Sequence, residues 1–406
     1  MSRRRALRIA MIGQRGVPAT WGGIEHHVEQ LGSRLAALGH EVTVFARPRY
    51  VAKGVTEYRG MKVRTLPCPP GAGWEAFGHS ALCSMATLNQ HYDVVHYHAV
   101  GPGLVCWVPK WFSRSKVVLT VHGLDADRAK WGGLAKRALS TGTWMSARVP
   151  DATVVVSQAL AEHYRTHYGR ETSWITNGVL PGRHVEAGAY LASLGLTRRR
   201  YALFVGRFVP EKAPDLLLSA FARLGVDSRL VLAGGSSHTD EFAGTLGRMA
   251  EQDPRVVLPG YVYGEDLQEL YSNAGLFVLP SDVEGLPLTL LEAISYGLPV
   301  VASDIAPHRE VLGEGQQGHR IFRAGDTDDL ERTLSDALLD PEGEALAGST
   351  LAPDVLKRHD WDDIADRTAA LYQRLAGLTP TTIDLTAPGR HAERRNALGK
   401  EPVERA

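Results

Sequence analysis

Short apolar runs recur along the chain: "LRIAMIG", "EVTVFA", "DVVHYHA", "KVVLTVHG" and "ATVVVS", then "YALFVGR", "RLVLAGG", "RVVLPGYV", "GLFVLPS" and "PVVASD". Each is rich in Val or other bulky apolar residues and does not alternate with polar positions, which is the pattern of a strand buried on both faces. Between the runs, apolar residues return at helical spacing in "GIEHHVEQLGSRLAALGH", "PDLLLSAFARL" and "EDLQELYSNAG". Strand and helix in alternation predict parallel sheets with right-handed crossovers, an α/β class. Near the C-terminus "WDDIADRTAALYQRL" predicts one more helix, with an apolar stripe through Trp361, Ile364, Ala365, Ala369 and Leu371 or Tyr372.

The series starts twice. "IAMIGQRG" opens the first half and "ALFVGRFVPEK" the second, each a buried strand ending in Gly with Arg close behind. Two Rossmann-like domains follow, over 1–185 and 201–360, with the polar, glycine-bearing stretch 186–200 as linker. The 361–376 helix is expected to pack back on the first domain, and 377–406, which has no apolar period, to be a disordered tail. Ligands in such sheets bind at the carboxyl ends of the strands, so the expected site is a cleft across which the two domains face each other.

Composition agrees. At 406 residues the chain exceeds one ordinary hydrophobic core. Lys+Arg and Asp+Glu are both 45, so there is no basic footprint for nucleic acid. Cys68, Cys83 and Cys106 lack CxxC spacing and read as reduced thiols. The basic start "MSRRRALRIAMIG" has too short an apolar run for a signal peptide, and no apolar run is long enough to span a membrane. A cytoplasmic protein is expected, at most peripheral to the inner membrane face.

Three loops carry candidate chemistry. In "DVEGLPLTLLEAISYG", Glu284 follows a strand at the mouth of a helix, and Glu292 lies about two turns inside that helix, on the same face. The backbone N–H groups of Gly285, Leu286 and Leu288 are donors of the first turn, suited to an anion or sugar hydroxyls, whereas Pro287 has none to give. A buried Glu292 needs partners, and a diol would serve. The plainer alternative is a glutamate favoured by the helix dipole plus a second on the surface. In "VGRFVPEK", Arg207 leaves a strand end and Lys212 opens a helix, a pair of cations that could hold a diphosphate or could be solvated loop charges. In "IGQRGVPATWGGIEHHVEQL" a glycine-rich loop enters a helix at Gly22 and Gly23, but it fits neither GxGxxG nor a Walker loop.

Taken together, "TWGGIEHHVEQL", "TVHGLD", "ITNGV", "VGRFVPEK", "LPGYV" and "EGLPLTLLEA" resemble, in that order and over about residues 6–376, glycosyltransferase family 4. The resemblance implies the GT-B fold, metal-independent transfer with retention, and a nucleotide-diphosphate sugar as co-substrate without a cofactor. It implies Arg207 and Lys212 on the diphosphate, and Glu284 with the amides from Gly285 to Leu288 on the donor sugar. Glu292 would bind the ribose, and backbone at Tyr261 and Val262 would frame the base. Gly22 and Gly23 would let the backbone approach the phosphates, and His122 would contact the transferred sugar. UDP is the favoured nucleotide, with dTDP and GDP open. The start "GQRGVPATWGGIE" is similar to a bacterial subgroup that builds polysaccharides and surface glycans.

On the acceptor side Gln14, Glu25 and His26 are expected, facing a sugar or glycan acceptor that could be lipid-linked. The segment 113–148 carries seven Lys/Arg against two Asp, interleaved with Trp131, Leu134, Leu139, Trp144 and Met145. It reads either as a helix packed inward with a solvated basic face or as a surface for anionic lipid. Asp125–Asp127 imitates the metal-binding DxD of a different fold, and His96 and His98 share one side of a strand without a third ligand at motif spacing, so no metal is expected. A nucleotide-sugar epimerase and a non-catalytic nucleotide-sugar-binding subunit are the alternatives to a transferase.

Overall fold

The computed structural model of the chain describes residues 5–19, 22–68, 74–123, 133–236, 240–313 and 318–379. They form two units, each with its own parallel sheet: Met1–Ala126 with Gly133–Gly178 and Trp361–Ala406, and Asp127–Gly132 with Val179–Asp360. Asp125–Asp127 with its DxD imitation, Trp131, the side chain of Leu134 and the tail from 380 onwards, expected to be disordered, lie outside the described residues.

The first unit is built on β1 (Arg8–Ile12), β2 (Glu41–Ala46), β3 (Glu57–Tyr58), β4 (Met61–Thr65), β5 (Val94–His98), β6 (Lys116–Val121), β7 (Ala152–Val155) and β8 (Ser173–Trp174). They lie in the order β3-β4-β2-β1-β5-β6-β7-β8, parallel except where β3 meets β4. Chain direction across the sheet reverses between β1 and β5, which makes their carboxyl ends a topological switch point. Gly13 marks it: a Cβ there would clash with the carbonyl of His98, the last residue of β5. The Gly23–Ala37 helix buries Val28, Leu31 and Leu35 against Met11, Val42 and Val44 of the sheet. Against that helix lies the Trp361–Leu375 helix, whose whole expected stripe, from Trp361 to Tyr372, is buried in the same core. Arg34 Nε and Asp362 Oδ1, both buried, join the two helices at 2.9 Å.

The second sheet takes β9 (Tyr201–Val205), β10 (Arg229–Ala233), β11 (Val256–Gly260), β12 (Leu276–Leu279), β13 (Val300–Ser303) and β14 (His319–Phe322), all parallel, in the order β11-β10-β9-β12-β13-β14. Here the switch point is between β9 and β12. Gly234 passes so close to the Gly206 carbonyl that no side chain could stand there, which brings the ends of β9 and β10 together. The stretch 186–200 belongs to this unit rather than standing apart as a linker. It carries the short helix Ala189–Ser193, fastened by the buried Glu269, whose Oε1 accepts from the amides of Gly188 (2.7 Å) and Leu191 (2.9 Å).

Among the described residues, no helix is long and apolar enough to cross a membrane. The Gly133–Arg148 helix buries Leu139 and leaves Trp144 exposed. Cys68, Cys83 and Cys106 are free thiols, and burial pushes the Cys83 thiol well above its ordinary pKa.

Candidate active site

The two chemically loaded loops of the second unit are the two that flank its switch point. After β9 the chain runs through Gly206 and the half-buried Arg207 into a single turn, Pro210–Lys212. Ala213 then takes a left-handed φ of 47°, a conformation uncommon for a residue with a Cβ, and starts the Pro214–Ala222 helix. After β12 come Ser281 to Pro287 and the Leu288–Ser295 helix, which no side chain caps. Pro287 sits at its N-cap, so the first-turn donors are backbone N–H groups, as the sequence predicts.

The loops are tied to each other. The Glu211 carbonyl accepts from the amides of Asp282 (3.0 Å) and Val283 (3.4 Å). Lys212 Nζ donates to Glu284 Oε1, and Ser281 Oγ donates to the same oxygen at 2.8 Å. The side chains of Lys212 and Glu284 are only 14% and 10% exposed, so the pair is shielded enough for its charges to matter. Burial pushes the Glu284 pKa up, but the Lys212 charge and the two hydrogen bonds outweigh it and hold the carboxylate ionised. His308 is wholly buried, its Nδ1 against Ser303 Oγ and O at 3.0 Å; burial lowers it to about 4, so its ring is neutral. Neither Ser281 nor His308 was foreseen in the sequence.

Glu292 is half-buried, with Oε2 accepting from Tyr271 Oη at 3.2 Å, and Tyr271 stacks on Tyr296 at 5.3 Å. Burial dominates here and lifts the carboxyl to about 7; the Tyr271 hydrogen bond offsets only part. The two glutamates of one motif are therefore opposites: Glu284 a paired anion, Glu292 a carboxyl poised near neutrality. Beyond β11, Tyr261 (42% exposed) stacks on Tyr263 at 6.1 Å, and Val262 between them is buried. Gly235 underlies that shelf, since a Cβ would lie 2.6 Å from the Tyr261 ring. Tyr263, the second ring, was also missed in the sequence.

In the first unit, Gly22 (φ 87°) precedes the Gly23–Ala37 helix, and both glycines are exposed; Thr20 and Trp21 of the same motif lie outside the described residues. Glu25 Oε1 accepts from the Arg15 amide at 2.9 Å, folding the loop onto the helix start. His26 is half-buried, and burial lowers its pKa. Gln14, expected to face an acceptor, is instead fully buried: its Nε2 donates to the Met11 and Phe45 carbonyls at 3.0 and 2.8 Å, clamping β1 to β2. His122, just past β6, is half-buried with Nε2 3.4 Å from His98 Nδ1. Burial pushes His98 well below its ordinary pKa and His27 to about 4, so both rings are neutral.

Comparison with known proteins decides the family. The description "Glycosyltransferase Family 4" matches residues 21–183, and "Glycosyl transferases group 1" matches residues 191–348. The D-inositol 3-phosphate glycosyltransferase of Mycolicibacterium smegmatis is 30% identical over 381 residues, 87% of this chain and 86% of that protein. The chain belongs to glycosyltransferase family 4. This family 4 glycosyltransferase is also 25% identical to the alpha-maltose-1-phosphate synthase of M. smegmatis, over 91% of this chain and all of that one. Among solved structures, the sucrose-phosphate synthase of Thermosynechococcus elongatus superposes with a TM-score of 0.78 at 24% identity, covering 91% of this chain and 99% of that one. Anabaena HepE, solved with UDP and glucose, superposes at 0.75 and 19% identity over 92% and 100%. The enzyme is thus a transferase with the GT-B fold, and the epimerase and non-catalytic alternatives have nothing in their favour.

Proposed function

We propose that this family 4 enzyme is a retaining glycosyltransferase that moves a hexose-type sugar from a nucleotide-diphosphate sugar, UDP-sugar by preference, to a sugar or glycan acceptor. The observation that carries the reading is the Lys212–Glu284 pair, which joins the two loops at the second sheet's switch point. Arg207 and Lys212 hold the diphosphate, and the uncapped helix start at Gly285 to Leu288 offers amides to the donor sugar. Glu284, kept anionic, accepts from the sugar hydroxyls. Glu292 accepts from the ribose diol, and the Tyr261–Tyr263 shelf with Val262 frames the base. In the first unit the proposed roles are Gly22 and Gly23 for the phosphates, His122 for the transferred sugar, and Glu25 and His26 for the acceptor.

No protein nucleophile is required. The leaving phosphate takes the acceptor hydroxyl proton on the face from which that hydroxyl attacks, so configuration is kept. The protein contributes position and charge: the cations stabilise the diphosphate as negative charge grows on it. UDP is favoured because HepE was solved with UDP and glucose. A bacterial polysaccharide or surface-glycan role at the cytoplasmic side of the membrane, with a lipid-linked acceptor, completes the reading. Calorimetric titration with UDP, dTDP, GDP and ADP, without added metal, tests it. One nucleotide should bind at least tenfold tighter than the others and lose that affinity in Arg207→Ala; no binding by any of them removes the donor site.

A further inference from the structure

Three histidines from distant parts of the chain meet at the first sheet's switch point: His27 on the Gly23–Ala37 helix, His98 at the end of β5, and His122 just past β6. One nitrogen from each lies within 4.8 Å of the other two. His98 Nδ1 and His122 Nε2 are 3.4 Å apart, long for a hydrogen bond but close to the about 3.3 Å that two nitrogens take on one tetrahedral ion at 2.0–2.1 Å. His27 Nε2 is buried and has no hydrogen-bond partner among the described residues, in a ring only 4% exposed. A buried polar atom left in that state needs an explanation.

The surroundings supply the rest of a ligand shell. His27 Nδ1 donates to Asn177 Oδ1 at 2.8 Å, which fixes the tautomer and leaves the Nε2 lone pair for a ligand, as outer partners of metal-bound histidines do. Trp361 packs against the His27 ring at 5.5 Å and keeps it from turning away. His96, the neighbour that the sequence singles out beside His98, is occupied: its Nδ1 meets Tyr372 Oη at 2.6 Å and its Nε2 meets Thr120 Oγ1 at 2.7 Å. The two partners of His98 come from a helix and a strand end far away in sequence, which spacing could not reveal.

We propose that His27, His98 and His122 form a binding site for a zinc-like divalent transition ion, held by three imidazoles. Neutral imidazole is a borderline ligand that suits Zn2+ and Co2+ and not Mg2+ or Ca2+. A consequence, resting on the reading of His122 as a sugar contact, is that the bound ion draws this ring away from the substrate and inhibits transfer.

The test is titration of the tag-free full chain with Co2+, followed by visible absorption, then displacement by Zn2+. Intense tetrahedral bands should saturate at one equivalent and vanish as Zn2+ is added. His122→Gln should abolish them and weaken Zn2+ by at least about 100-fold, because even losing an outer partner costs about 10–100-fold. Asn177→Ala, which leaves all three ligands in place, should weaken the ion by that smaller factor. A folded wild type that takes up no Co2+, or binding unchanged in His122→Gln and in His27→Gln checked for fold by circular dichroism, overturns the proposal. The Co2+ bands do not depend on catalysis, so a site that binds the ion without inhibiting transfer sustains the metal proposal and removes only the sugar role of His122.

Discussion

Glu292 is a stability liability whose size can be worked out. Its carboxyl titrates near 7 in the folded protein against an ordinary 4.5, because burial disfavours the anion more than the Tyr271 hydrogen bond favours it. The folded state therefore keeps this proton to higher pH than the unfolded chain does. Stability then falls as pH rises from about 4.5 to 7 and levels off above. At pH 8.5 the liability is about 3 kcal/mol; at pH 5.5, where the unfolded carboxyl is already mostly ionised, it is about 1 kcal/mol. Glu292→Gln keeps the shape and the acceptor for Tyr271 but cannot ionise. It should therefore stabilise the second unit more at pH 8.5 than at pH 5.5, by about 2 kcal/mol. Hydrogen exchange of the slowest amides in β12 and the Leu288–Ser295 helix, in urea series at both pH values, reads this unit by itself. The same variant should bind the nucleotide about 10–100-fold more weakly, as expected for losing charged hydrogen bonds to a diol. A stability gain equal at the two pH values, or a loss at pH 8.5, would refute the account of Glu292 as a carboxyl strained by burial.

Further outcomes follow from other contacts. In the wild type, nucleotide affinity should rise between pH 6 and 8 as Glu292 becomes the anion that accepts from the ribose, and the rise should be absent in Glu292→Gln; calorimetry at fixed ionic strength checks it. Lys212→Met leaves Glu284 buried without its cation and should cost about 3 kcal/mol, while Lys212→Met combined with Glu284→Gln should cost less than Lys212→Met alone; urea titration measures both. Gly234→Ala forces a Cβ onto the Gly206 carbonyl and should lower the midpoint of thermal unfolding by at least several degrees. Asp362→Asn weakens the buried link to Arg34 and should loosen the Trp361–Leu375 helix, seen as faster exchange of its amides with those of the second unit unchanged.

Nine of the ten runs legible in the sequence are strands buried along most of their length, where apolar residues predominate; the tenth, β11, is half-buried at a sheet edge. The four that were not legible break that condition. β4 alternates, with Met61 and Val63 buried and Lys62 exposed; β3 and β8 are two residues long at the sheet margins; β14 begins with His319 and Arg320. The same locality governs the site. Arg207, Lys212, Glu284 and Glu292 stand at fixed steps after their own strands, so motif spacing makes them candidates. His308, Tyr271 and Tyr263 reach the site from elements whose local pattern is ordinary. Gln14 misleads for the converse reason: a polar residue after a strand reads as a loop facing ligand, but here its amide clamps two strand ends.

The two switch points meet the cost of burying polar groups differently. In the second unit it is met by charge: Lys212 neutralises Glu284, and Glu292 retreats towards its neutral form where no cation is at hand. A diphosphate at the proposed donor site would meet cations already in place. In the first unit the groups gathered at the switch point are a buried amide and neutral imidazoles, Gln14 just past β1, His98 at the end of β5 and His27 on the adjoining helix, with a ring nitrogen of each histidine unpaired among the described residues. Such a group of side chains has little to offer a phosphate and more to offer hydroxyls or a borderline transition-metal cation. This division agrees with the proposal of a nucleotide-sugar donor held by the second unit, with Arg207 and Lys212 as its proposed anion contacts, and a more neutral substrate handled by the first.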